Sequence, residues 1–229
     1  MNLLSVNDTG AIFLSLKVAT IATAAALPIA FLVAWALARG RFPGRDLMDA
    51  AAHLPLVVPP VATGYALLVL LGPRGPLGAP LGALGIHFAF RWTGAALAAA
   101  IMAFPLVMRP IRLAIEAIEP EVEETARTLG AGPLARLWRL TLPLAAPGLV
   151  AGAVLGFARA LGEFGATITF VAAIPGETLT LPTAIWQAAQ TPGGETRAVA
   201  LCAISAAIAF AAIWASERFA GRAPTPRGD

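Results

Sequence analysis

Polar and apolar positions along this chain fall into long blocks, not into a short alternation. Five apolar blocks stand out, at residues 11–38, 50–71, 93–115, 147–171 and 198–216. Each approaches or exceeds the ~20 residues that a bilayer-spanning helix needs. All five are rich in Ala, Gly, Leu and Val, and small residues let lipid-embedded helices pack closely. Prolines 28, 55, 59, 60, 105 and 147 predict kinks or helix ends. They form no internal repeat. The pattern predicts an all-α integral membrane protein of about five transmembrane helices, forming one transmembrane domain over residues 1–229.

Composition sharpens this reading. Of the 229 residues, 58% are hydrophobic and 13% charged, and mean hydropathy is +0.77. One soluble core cannot hide that much apolar surface. The first apolar run lacks a basic leader, follows Asp8 and is interrupted by Lys17, so it is expected to stay as a span and not to be a cleaved signal.

The net charge of +3 does not imply nucleic acid, because the basic residues lie between apolar runs and not along one folded face. Arg39, Arg41 and Arg45 occupy the first connection. Arg109, Arg112, Arg127, Arg136 and Arg139 flank or occupy the third, and Arg218, Arg222 and Arg227 the tail. The opposite side carries Arg74, Arg91 and Arg197. Eleven basic residues against three place the N-terminus outside, the C-terminus in the cytoplasm and loop 117–146 in the cytoplasm. On the outer side, Gly72-Pro73-Arg74-Gly75-Pro76 is turn chemistry. Residues 174–186 suggest a short helix starting after Pro182.

Several chemistries are excluded. The single cysteine, Cys202, rules out an intramolecular disulfide and reads as a small buried residue. His53 and His87 fall at opposite span ends and make no metal site. A phosphate-binding loop needs its lysine, and the only lysine, Lys17, lies in the outer part of a span, where snorkelling accounts for it. Tyr65 and the tryptophans read as packing or interface anchors. Asp8, Asp46, Asp49 and Asp229 lie outside the spans, and Ser205 has no level histidine or lysine, which argues against an intramembrane protease. A secondary transporter often shows internal repeats, and none is evident.

Two places carry candidate function. Arg159 and Glu163 lie near the middle of the fourth apolar block, four residues apart on one helix face. Charge at that depth costs about 2.5–3.5 kcal/mol on insertion scales. They either form a self-neutralising structural pair or border a route for an anion. The second place is the charged stretch 119–147. Pro120, Glu121, Glu123, Glu124 and Arg127 write a first short helix, with Val122, Ala126 and Leu129 on one face and Gly130 as its stop. Gly132-Pro133 opens a second helix, with Leu134, Leu137, Trp138 and Thr141 on one face and Pro143 closing it. Such a hairpin either lies passively on lipid or carries force from a soluble partner.

The spacing Glu124-Thr125-Ala126, three residues, Gly130, nine residues, Leu140-Thr141-Leu142-Pro143 resembles the "EAA" signature of ABC importer permeases, E-A-A-x3-G-x9-I-x-L-P. Thr125 and Leu140 depart from it. Ser15-Leu16-Lys17-Val18, His53-Leu54-Pro55-Leu56-Val57, and stretches 157–170, 174–178 and 190–195 resemble the molybdate permease subunits of that family, with the longer sulfate permeases as the alternative. The resemblance implies that 117–146 is a coupling loop in which Glu124, Thr125, Ala126, Gly130, Leu142 and Pro143 meet an ATP-binding subunit. It also implies a symmetric pair of this chain in the cytoplasmic (inner) membrane. Two cytoplasmic ATPases would hold the ATP and Mg, with no cofactor in this chain, and an extracytoplasmic binding protein would deliver molybdate, or tungstate.

Overall fold

A computed structural model describes residues 5–220, so Arg222, Arg227 and Asp229 lie outside the described residues. Among those described, every regular element is helical. Three helices form the centre: α1 (Val6–Arg39), α5 (Trp92–Glu116) and α9 (Ala146–Leu161). Their contact faces are made of small side chains. Ala19, Ala22, Ala26, Ala30 and Ala34 of α1 are buried, as are Ala95, Ala98, Ala99 and Ala103 of α5. Gly148, Gly152 and Gly156 line up every fourth residue on α9, against α5. A Cβ at Gly152 would stand 2.5 Å from the carbonyl oxygen of Val107, and one at Gly148 2.6 Å from that of Pro110. The two backbones can approach this closely only because those positions carry no side chain.

Prolines 28, 105 and 110 lie inside α1 and α5 without ending them. The proline effect is concentrated elsewhere. The second apolar block is two helices, α2 (Arg45–Val57) and α3 (Pro60–Leu71), bent by 111°. Val58 is extended because a residue before proline is disfavoured in the helical region, and Pro59-Pro60 supplies no N–H to continue the ladder. The fourth block is also divided. α9 ends at Leu161 and the chain resumes as α10 (Gly165–Val171).

Among the described residues, three helices are long and apolar enough to cross a bilayer, namely α1, α5 and α12 (Glu195–Ala220) through Ala212. Counting each bent helix pair as one span raises the number to as many as five. The most apolar window of α12 is only 11% buried, against 61% for α5, so α12 is peripheral. That placement corrects the expectation for Cys202, which is exposed on α12. An apolar neighbourhood in sequence does not separate a core position from a lipid-facing one, because lipid is itself an apolar solvent.

The connection after α3 contains a short helix, α4 (Gly78–Ala83), that the turn-rich sequence did not announce. In the later connection, α11 (Leu181–Gln190) starts one residue before Pro182, with Thr180 and Thr183 pairing across its first turn.

Candidate functional site

The stretch after α5 folds into a helical hairpin. Pro120 opens α6 (Pro120–Thr128), where its missing N–H leaves nothing unsatisfied. Thr125 Oγ1 donates to the Glu121 carbonyl at 2.8 Å. The end of α6 is a Schellman cap: the N–H of Ala131 donates to the Ala126 carbonyl and that of Gly130 to Arg127, each at 3.0 Å. Gly130 holds φ +83°, with open space where a Cβ would stand. Its requirement is therefore conformational, not steric.

The return limb differs from the expectation. α7 (Pro133–Arg136) runs into a π-helical turn, Leu137–Thr141, and then into α8 (Leu142–Leu144). Pro143 does not close the helix. It stands within the continuing helical run, and the chain turns by 66° only at Ala145. The π turn also divides the expected apolar face. Leu137 packs against the core formed by α1, α5 and Ala145, and Thr141 is buried. Leu134 and Trp138 are 69% and 61% exposed, and Leu129 of the first limb is 83% exposed. The hairpin thus roots one side in the spans and leaves another exposed. Of the six residues expected to couple, Glu124, Thr125, Gly130 and Pro143 are exposed, Ala126 is half-buried and Leu142 packs on the core.

Between this hairpin and the first connection lies a cavity of about 910 Å3, lined by Arg39, Arg41, Arg45, Arg127 and Arg136 and by Asp46, Glu123 and Glu124. Arg39 belongs to the site, although in the sequence it counted only toward membrane orientation. Its Nε donates to Glu123 Oε1 at 2.9 Å.

The structure brings Arg159 and Glu163 together, with Arg159 Nη1 2.6 Å from Glu163 Oε2. Glu163 is 3% exposed, and its Oε1 accepts the N–H of Ala166 at 2.8 Å, at the start of α10. The carboxylate therefore neutralises Arg159 and satisfies a free helix-end donor at the break between α9 and α10. That break packs on the bend between α2 and α3. A Cβ on Gly165 would stand 2.8 Å from Pro60 Cβ, and one on Gly64 2.5 Å from the Ala166 carbonyl oxygen. The two interrupted segments meet where the buried Glu163 carboxylate and its half-buried partner Arg159 lie.

Other polar links also escaped the sequence. Lys17 Nζ sits 3.6 Å over the Trp92 ring, so a cation–π contact holds it where snorkelling was expected. Asp8, fully buried, takes both Nε and Nη2 of Arg197, tying the start of α1 to that of α12. Arg112 bridges Asp49 of α2 at 2.9 Å and Glu116 at 2.8 Å.

Residues 26–223 match the family described as "binding-protein-dependent transport system inner membrane component". The chain belongs to this family. This inner-membrane component is 54% identical, over 90% of its length and 91% of the relative's, to the molybdenum transport system permease protein ModB of Escherichia coli K12. It is 48% identical to ModB of Haemophilus influenzae, over 92% of each chain. A sulfate transport system permease protein, CysT of Salmonella typhimurium, is 42% identical over 60% of this chain and 50% of its own. The fold of this membrane component resembles that in a bacterial ABC transporter for alginate import, with TM-score 0.78 at 18% identity, covering 97% of this chain and 82% of that one. A complex of an alginate transporter with its periplasmic protein gives TM-score 0.77 at 20% identity, over 95% and 80%. The relatives are permease components, not enzymes.

Gly130→Val should strain the hairpin. A β-branched residue in the left-handed region costs about 1–2 kcal/mol, enough to shift the cap without unfolding the spans. Uptake by the assembled transporter should fall while ATP hydrolysis continues. Gly130→Asn, which tolerates that region, should keep most uptake. Equal transport by the two variants, measured in membrane vesicles, would count against this role of the cap.

Proposed function

We propose that this chain is the membrane permease of an ATP-driven importer of molybdate, acting as a symmetric pair. The observation that carries the reading is 54% identity to the E. coli molybdenum permease across nine-tenths of the chain. The exposed hairpin with its capped Gly130 supports it. Two cytoplasmic ATPases seat on the hairpins, and an extracytoplasmic binding protein presents the oxyanion. ATP and Mg are held by the ATPases. When ATP closes these, the hairpins are drawn together and the spans rock from inward-open to outward-open. Arg159 offsets the charge of the passing anion, and Glu163 keeps it from being held, since a site that binds too tightly slows exit.

The arginine distribution supports an N-terminus outside and the hairpin in the cytoplasm. In a Cys202→Ala background, Thr128→Cys on exposed α6 should react with an impermeant thiol reagent in inside-out vesicles and not in intact cells. Labelling in intact cells would invert the topology.

The ion is tested by uptake of labelled molybdate into vesicles holding this chain, its ATPase and its binding protein. Unlabelled tungstate should compete, and sulfate should not at equal concentration. The likeness to the sulfate permease supports a sulfate reading, and strong competition by sulfate would favour it.

A further inference from the structure

Arg39 ends α1, and its guanidinium reaches α6, the last turn of α5 and the connection between them. Nε donates to Glu123 Oε1 on α6 at 2.9 Å. Nη2 donates to the carbonyl oxygens of Ile115 and Ile118, at 2.9 and 2.7 Å, at the inner end of α5. Carbonyls at a helix C-terminus lack intrahelical partners and carry partial negative charge, so a guanidinium suits them. The two paired side chains are 22% and 23% exposed, which shields them more than an ordinary surface pair.

The surroundings make this contact more than a decoration. α6 buries no residue of its own, so no apolar core fixes it to the spans. The hairpin is joined covalently to α5 through residues 117–119 and to α9 through residues 137–145. α1 has no such covalent link, yet it packs along both α5 and α9. Its polar link to α6 is Arg39, whose second arm grips the end of α5, while the return limb meets the α1–α5 core separately through Leu137.

We infer that the Arg39–Glu123 pair is the strap through which movement of α6 reaches α1, making Arg39 a positioning residue for coupling. The inference rests on the importer reading above. A guanidinium tied to Glu123, to the Ile115 carbonyl of α5 and to the Ile118 carbonyl just beyond it moves the ends of α1 and α5 with α6 as one body. With the strap cut, α6 can follow its ATPase while α1 lags, so hydrolysis proceeds without a matching change in the spans. A purely structural pair would alter yield or thermal stability and leave the ratio of hydrolysis to transport unchanged.

The test uses the full complex of this chain, its ATPase and its binding protein in vesicles, and reads ATP hydrolysed per molybdate ion taken up. Arg39→Met and Glu123→Gln are each expected to raise this ratio by roughly fivefold or more. The double variant should be no worse than the worse single one, because one interaction is lost once. Glu123→Gln leaves the bonds of Arg39 to α5 in place, so it decides the matter if Arg39→Met fails to assemble. A wild-type ratio in Glu123→Gln overturns the inference. So does failure of Glu123→Gln to retain the ATPase on co-purification, because the pair would then be a docking or folding contact. The unaltered complex, run alongside, tests the importer reading separately: without ATP-dependent uptake there, that reading falls first.

Discussion

Glu163→Ala is expected to remove most of the folded protein from the membrane. The carboxylate is buried, pairs with Arg159 at 2.6 Å and accepts the Ala166 N–H. Removing one partner of a buried pair costs about 3–5 kcal/mol, because the other charge is stranded. The orphaned N–H adds about 1–3 kcal/mol. Arg159 keeps 26% of its side chain exposed, which softens the first figure toward its lower end. A domain of ordinary stability, about 5–15 kcal/mol, loses a large part of it. The double variant Arg159→Ala/Glu163→Ala strands no charge and should recover much of the yield. Detergent-extracted protein running as a single species reports both. Wild-type yield for Glu163→Ala would refute the pairing argument. Wild-type uptake by the double variant would reduce the two residues to a structural clasp.

Gly152→Val should separate α5 from α9. The added carbon would stand 2.5 Å from the carbonyl oxygen of Val107. That atom belongs to a helix backbone and has no rotamer to yield, so the helices must move apart. Overpacking a close-packed interior costs about 1–3 kcal/mol, occasionally more, and here the whole small-residue contact opens. Gly162→Ala is the control, since its Cβ would meet the Ala158 carbonyl at an ordinary 3.7 Å. After a heat step, the monodisperse fraction should drop sharply for the first variant and stay near wild type for the second. Similar survival of both would mean that this crossing does not depend on close approach.

The five apolar blocks, the α6 helix and the stop at Gly130 were legible because they depend on local chemistry: run length, a proline at a helix start, a glycine at its end. An interruption at Pro59-Pro60 was legible as a kink or helix end, but its 111° angle was not, since apolar composition continues through it and does not encode direction. The inward rotation of Leu137 and Thr141 was hidden by the π turn, which shifts the helical register without changing composition. The bonds from Arg39 to Glu123 and from Asp8 to Arg197 span 84 and 189 residues. A local pattern has no means of announcing them. Arg159 and Glu163 were found as a pair because they stand one helical turn apart. The role of Glu163 in starting α10 depends on a helix break that the apolar pattern runs straight across.

If a separate ATPase supplies the motion, transport through this chain must depend on it. Labelled molybdate should be followed into vesicles loaded with the binding protein, with this chain present either alone or together with its ATPase. Uptake is expected only when ATPase and ATP are both present, and none from the chain alone or from an ion gradient. Uptake by the chain alone, or uptake that survives removal of ATP, would contradict that dependence.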